Sequence, residues 1–396
     1  MRRQPTWLPW PAALLLSGLA PVAAQAQQLL DFAYTDSLTQ ALLTQHRYRA
    51  LDSVGRAAGQ LGAAYPALSR RLGAGVLARD QPAAALGYYQ AALRENPLDP
   101  AARAGLALAY QALNQPGPAA LLAGGLPDSL RRALALPGRR AVASAEAEGS
   151  VLATGERRRG PATYLRLGLG SRLSSRVALS QDVSYYHQQL ELPRPGAPGE
   201  VLLHTVSQWQ YHALLQVQLA PRWQARGGYT FISRDLGSNH LGYLALAYAR
   251  PYFTVQGGLY ASTLADTART QTDLRLTVYP LGSLRLYAFG RGSVVRSVGC
   301  SYANGLLGAG GRLRPWLWAE AWVAGGRVPV LAELDGTYVY NLADPLSTRT
   351  ALSLLILAPR RCSLRLTYGT EQRRIVAGRG FEYTLHSFTA SFARTW

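Results

Sequence analysis

The sequence predicts an α+β chain in two domains: an α-helical N-terminal third and, behind it, an antiparallel transmembrane β-barrel of about 14 strands. Three observations carry this. The hydrophobic period changes from helical to two near residue 141. Past the first 26 residues there is no apolar run of 18 or more. A membrane-resident form must therefore be a closed barrel, the other backbone whose polar groups are all satisfied in hydrocarbon. The composition, 48% hydrophobic with 22 Tyr and only 16% charged among 396 residues, excludes intrinsic disorder. No Gly-X-Y or heptad period supports a fibrous class.

Met1 to Ala26 has the three parts of a secretory signal. Arg2 and Arg3 come first, then the mostly apolar Leu8 to Ala23, then Ala24-Gln25-Ala26, so that cleavage after Ala26 leaves Gln27 as the first residue. Pro9, Pro11 and Pro21 interrupt the stretch and weigh against a retained anchoring helix. With no Cys before Cys300, a lipid-anchored N-terminus is not expected.

Residues 32–136 are rich in Ala and Leu at helical spacing, with an internal repeat near 34 residues. Leu72-Gly73, Ala85, Tyr89, Ala92 and Pro97 define the best unit; Leu106, Tyr110 and Ala119 recur in phase, and Ala50, Val54 and Ala57 mark a degenerate earlier copy. Small residues at these places let two helices cross closely, Tyr and Leu fill the space between pairs, and Pro97 ends a second helix. This pattern resembles the tetratricopeptide repeat, which buries its core only by stacking; a generic Ala-rich bundle is the alternative. Arg70, Arg71, Arg79, Arg94 and Arg103 read as a solvated face. Gly and Pro punctuate 124–138, and the boundary is placed near residue 138, ahead of a barrel at 139–396.

Strict alternation then appears, as in Asp273-Leu274-Arg275-Leu276-Thr277-Val278 and Leu364-Arg365-Leu366-Thr367-Tyr368. Short Pro-bearing links, such as Ala220-Pro221-Arg222, alternate with longer ones at 188–203, 234–239, 263–269, 295–302, 327–346 and 373–380, the loop sorting of outer-membrane barrels. Trp223, Tyr252, Tyr279, Trp316 and Trp318 beside the short turns fit an interfacial girdle. Fourteen strands can be counted, or 12 if the first, carrying Glu146 and Glu148, and one more are removed. An even count puts the helical domain and the C-terminus on one side, the periplasm. Phe388, Phe392 and Trp396 on the last strand resemble the signal read by the outer-membrane insertion machinery. Cys300 falls in a long link and Cys362 in a short turn at the opposite end, too far apart to bridge.

Net charge is +19, with 41 Arg and no Lys. The inferred lumen-facing set is Arg166, Arg226, Arg275, Arg285, Arg291 and Arg365, with Asp273, Glu320 and Glu371 as counter-ions. Two readings stay open: a basic lumen that draws an anionic polymer or solute, or Arg–carboxylate ladders that brace a narrow barrel. Nucleic-acid binding does not fit an exported barrel without a recognition motif. No cofactor or metal motif occurs. His187, His204 and His240 lie near the expected outer rim; none has a carboxylate two residues away, Ser238 beside His240 is the one serine at that spacing, and His386-Ser387 point to opposite faces. No enzyme is expected.

The signal, the repeats, the turns Ala220-Pro221-Arg222-Trp223 and Leu313-Arg314-Pro315-Trp316, and terminal Trp396 together resemble the YaiO-like outer-membrane β-barrel family. That resemblance implies a barrel in outer-membrane lipid with a helical domain in the periplasm, open to a protein partner. The layout is also similar to exporters of surface polysaccharides. The expected role is assisting export or assembly of such a polymer. Its rivals are a structural protein with a plugged lumen and a rim enzyme acting on lipid.

Overall fold

The computed structural model describes residues 31–193, 200–234, 237–264, 267–375 and 382–396. The expected export signal, with Ala26 and Gln27, lies outside them. The chain divides into two compact units, Met1–Ala109 and Tyr110–Trp396.

Among the described residues seven α-helices come first: α1 Phe32–Thr44, α2 Tyr48–Gln60, α3 Pro66–Ala78, α4 Pro82–Glu95, α5 Pro100–Ala112, α6 Pro116–Ala123 and α7 Asp128–Ala133. Proline opens α3 to α6, where its missing N–H costs nothing and its fixed φ suits the first turn. α1 is opened by Asp31, whose Oδ1 accepts from the Ala33 amide at 2.9 Å. α1, α3 and α5 begin at residues 32, 66 and 100, a constant spacing of 34. His46, Asp80 and Asn114, again 34 apart, take positive φ just after those helices and turn the chain back.

The packing explains the residue types of the repeat. The Tyr89 ring lies 3.0 Å from where a Cβ at Gly73 would stand and 2.2 Å from one at Gly105, so only glycine fits beside it at Gly105. Ala85 and Ala92 have no exposure, and Leu72, Leu106, Tyr110 and Ala119 are buried. Pro97 sits in the exposed turn after α4. Three of the arginines expected on a solvated face, Arg70, Arg71 and Arg79, are instead clamps between helices, while Arg94 is exposed as expected. Arg71 is buried and donates to Asp36 Oδ1 (2.6 Å), Gln40 Oε1 (2.9 Å) and Thr39 Oγ1 (3.1 Å); Arg70 holds Asp99 at 3.0 Å and Arg79 holds Asp52 at 3.2 Å.

The Arg71 hydrogen bond holds the Asp36 carboxyl below its ordinary 3.8. A lowered native pKa contributes stability that is present above the unfolded value and lost as pH falls through the native one. Arg71→Met should cost about 2 kcal/mol, less than a fully buried pair because a third of Asp36 is exposed. It should also flatten the acid dependence of the helical melt, followed by circular dichroism of the whole protein down to about pH 3. An unchanged acid slope in the variant would remove the assignment.

Fourteen strands follow. They are β1 Arg140–Thr154, β2 Arg159–Arg172, β3 Val177–Pro193, β4 Val201–Ala220, β5 Trp223–Arg234, β6 Gly237–Ala249 and β7 Phe253–Ser262. The rest are β8 Arg269–Val278, β9 Leu286–Ser297, β10 Cys300–Arg314, β11 Leu317–Glu333, β12 Tyr338–Ala358, β13 Cys362–Arg374 and β14 Glu382–Thr395. Each pairs antiparallel with its neighbours in sequence, and β1 closes on β14 from Ser144↔Thr395 to Thr154↔Leu385, giving a closed barrel. Residues 110–138, placed by sequence with the helices, belong to this unit. Gln115 Nε2 donates to Arg250 O at 3.1 Å, and a Cβ on Gly117 would meet Gln218 Oε1 at 1.9 Å.

The long links largely dissolve into strand. β3 and β4 run on through much of 188–203, and Val298-Gly299 alone joins β9 to β10, with Gly299 at φ +71. Cys300 and Cys362 are free; each opens its strand, and because β10 and β13 run in opposite directions the two lie at opposite ends of the barrel.

Outward positions are apolar: Leu165, Leu167, Leu244, Leu274, Leu307 and Phe388 are each about 60–70% exposed. Lower rings include Trp223 tilted against Tyr248 (4.7 Å), with Tyr252 and Trp316; upper ones include Tyr185 against Trp209 (4.8 Å) and the hydrogen-bonded pairs Tyr229–His240 and Tyr368–His386. Eight residues separate Trp223 from Phe231, a climb of about 20 Å for a tilted strand. Between the belts the outward positions among the described residues carry no Asp, Glu or Arg. Tyr279 and Trp318, expected in the girdle, line the interior instead. No described helix is long and apolar enough to cross a membrane.

Candidate functional site: a hairpin folded into the lumen

The link expected as a loop at 327–346 is the main feature of the interior. β11 leaves the wall at Gly326, whose φ is +132 and whose Cβ would stand 2.2 Å from Ala303 O. Only glycine can turn there. The β11–β12 register shifts on both sides of Val328, after which the two strands pair with each other from Val330↔Asn341 to Glu333↔Tyr338. The tip, Leu334-Asp335-Gly336, has φ of 48°, 63° and 96°. Positive φ is tolerated by Asp and Gly but strained at Leu, and the lumen contacts must hold it.

Those contacts reach most of the wall. One side of the hairpin is apolar: Val330 and Ala332 join Leu214, Ile232, Leu241, Tyr243, Tyr260 and Leu264 in a buried cluster. The other side is charged. Asp335 accepts from Arg226 (2.6 Å), the Tyr243 hydroxyl (2.6 Å) and Gln256 Nε2 (2.9 Å). Glu333 is gripped by Arg291 and by Arg349 (2.7 Å), and Arg349 lies between the Trp322 and Tyr340 rings. Tyr338 donates to Glu148 at 2.6 Å, beside Arg166, which holds Glu146 at 2.8 Å.

Hairpin backbone that has left the ladder is satisfied by lumen side chains. Gln271 both donates to Ala332 O (2.7 Å) and accepts from Ala332 N (3.0 Å). Gln210 donates to Thr337 O, and Thr230 to Gly336 O. Thr230 Oγ1 also contacts Nδ1 of buried His212 at 2.8 Å. Nearer the long-link end, Arg159 and the Tyr383 hydroxyl converge on Asp344. The hairpin thus spans the lumen from the β5–β7 wall to the β1–β2 wall.

A cavity of about 1000 Å³ remains between the hairpin and the short-turn end, where Asn114 reaches its lining. Of the expected lumen residues, Arg166, Arg275, Arg291, Arg365, Glu320 and Glu371 line it, and Arg226 points at the hairpin tip. Arg285 is a correction: it lies exposed in the turn before β9, because the strand begins only at Leu286. Seven lining carboxylates face six guanidinia, and five of the seven sit in ladders of paired charge, with Glu371 held by Arg373 and 3.7 Å from Arg349. The simply basic channel is not what forms.

Glu333, Asp335, Tyr338, Arg349 and Arg373 were not singled out from the sequence. The signal was Val328-Pro329-Val330-Leu331-Ala332, an apolar run inside a supposed polar loop. His187, His240 and His386 turn outward, whereas His204 pairs with buried Leu190 in the inward register. His187 meets Ser207 at 3.3 Å, and His240 and His386 meet tyrosine hydroxyls. Among the described residues no group of three or more His, Cys, Asp or Glu side chains could hold a metal ion.

No protein-family profile matches the chain, and no curated protein matches it either. Solved structures do. A mutant of the monoaromatic hydrocarbon channel TodX has a TM-score of 0.47 at 8% identity, over 65% of this chain and 91% of its own. A Pseudomonas aeruginosa FadL homologue scores 0.45 at 9% identity, over 70% and 94%. A bacterial polysaccharide outer membrane secretin scores 0.39 at 11% identity, over 64% and 98%. Identities this low assign no role to the present chain.

Proposed function

We propose that this chain is an integral outer-membrane barrel, closed at rest by its own hairpin, that assists assembly or regulated export of a surface polymer without catalysing a reaction. The hairpin spanning the lumen is the observation that carries the closed state. The membrane location rests on the uncharged outward band between two aromatic belts, about the height of a bacterial outer-membrane core. The constant 34-residue spacing of helix starts and of the positive-φ turns supports a tetratricopeptide-like scaffold in the periplasm, where a protein partner docks, as the YaiO-like resemblance implies. Of the two lumen readings, the paired ladders favour bracing over free anion conduction.

Purified protein in planar bilayers should insert without persistent conductance. A steady open step from the unmodified protein would overturn the closed state. Removal of residues 31–95 should leave an insertable barrel and abolish recruitment of the periplasmic partner; retained recruitment would discard the scaffold.

A further inference from the structure

Arginines of the interior divide into two kinds. Those at 166, 226, 291 and 349 each hold a carboxylate. Arg275 and Arg365 also line the cavity, yet no carboxylate among the described residues pairs with either. Both stand three residues above their short-turn strand ends, on β8 and β13. On the wall between them are Tyr279, Tyr287 and Trp318.

We infer that this lower chamber binds a short segment of an acidic saccharide, with Arg275 and Arg365 taking its carboxylates and the Tyr279, Tyr287 and Trp318 rings lying against its sugar faces. The inference deepens the proposed role and rests on it for the polymer that enters.

Guanidinium recognises carboxylate through a bidentate fork. A bracing role gives no reason to leave two guanidinia of the cavity lining unpaired when the other four that line it are each matched. Two of the seven lining carboxylates stand outside the ion pairs. Glu320 accepts from the Tyr287 hydroxyl at 2.8 Å, and Asp273 from Gln271 Nε2 at 2.9 Å. Neither is held by a guanidinium, so each keeps lone pairs for sugar hydroxyls and opposes a polyanion that has none. That combination favours a uronate-bearing sugar over free phosphate. A volume of about 1000 Å³ lies at the upper end for small-molecule sites and accommodates a few sugar units.

The test is titration of the detergent-solubilised full chain, followed by tryptophan fluorescence, with tetragalacturonate, maltotetraose and tripolyphosphate as probes. Tetragalacturonate should bind saturably, with the neutral sugar about tenfold or more weaker. Arg275→Gln with Arg365→Gln should lose about tenfold or more of the uronate affinity, while Arg296→Gln, on the outer face, changes nothing. Heat-modifiable gel migration confirms that each variant is folded. Equal binding of maltotetraose, an unaffected double variant, tripolyphosphate bound as tightly as uronate, or no binding at all each overturns the chamber. Bilayer recordings on the same preparations keep the two ideas apart. A silent barrel that ignores uronate loses only the chamber, whereas a steadily conducting one loses the closed state whether or not it binds.

Discussion

Replacing residues 329–341 with a short Gly/Ser link should turn a silent barrel into one that conducts in persistent steps. Eight-stranded barrels fill their interior with side chains, whereas 16 to 18 strands leave a water-filled channel. Fourteen strands enclose more space than wall side chains alone can close, and here the hairpin supplies the remainder. Its excision should leave the wall intact, because β11 and β12 stay paired from Leu317↔Ile356 to Gly325↔Thr348 without it. The cut frees Arg226, Arg291 and Arg349 from Asp335 and Glu333, so the opened lumen should also become anion-selective. A milder change, Asp335→Ala, removes three hydrogen bonds from the tip but leaves the apolar side of the hairpin packed; it should give brief openings. A folded excision variant that stays silent would show that another element closes the lumen.

The barrel was legible because its physics is local and repeated. Each of the fourteen expected strands has its counterpart in the barrel wall, since a face of Leu and Val opposite a face of Arg, Gln and Thr permits only one orientation in every strand. Glu146 and Glu148, which made β1 the weakest expectation, face inward and meet Arg166 and Tyr338, partners far off in sequence. The helical repeat was legible at Gly73 and Tyr89 for the same local reason. The hairpin was not, because period two says which face a residue takes but not whether the strand stays in the wall. That choice is made by one backbone conformation at Gly326 and by partners on β1, β5, β6, β7 and β9, none adjacent in sequence. Arg285 shows the reverse failure. It has the right parity for the lumen, but the strand begins one residue too late to carry it there.

Leu244→Arg should destabilise the barrel in lipid by about 2–4 kcal/mol, the penalty for a cation facing hydrocarbon at mid-depth. Leu244 points outward at 68% exposure and lies four residues from both Tyr248 in the lower belt and His240 in the upper. Its matched control is Val298→Arg in the two-residue turn between β9 and β10, at 84% exposure. That change should stay within about 0.5 kcal/mol. Denaturant unfolding in phospholipid vesicles measures both. In water the two positions are equivalent, for each is an exposed aliphatic side chain that a charge could replace freely. In a bilayer they differ by the whole cost of burying a guanidinium among acyl chains, because Arg at the centre of the band must either drag water inward or reach past about 10 Å of hydrocarbon to the headgroups. Equal cost at the two sites would mean that the band faces water, and the periplasmic scaffold and the closed pore would lose their footing together.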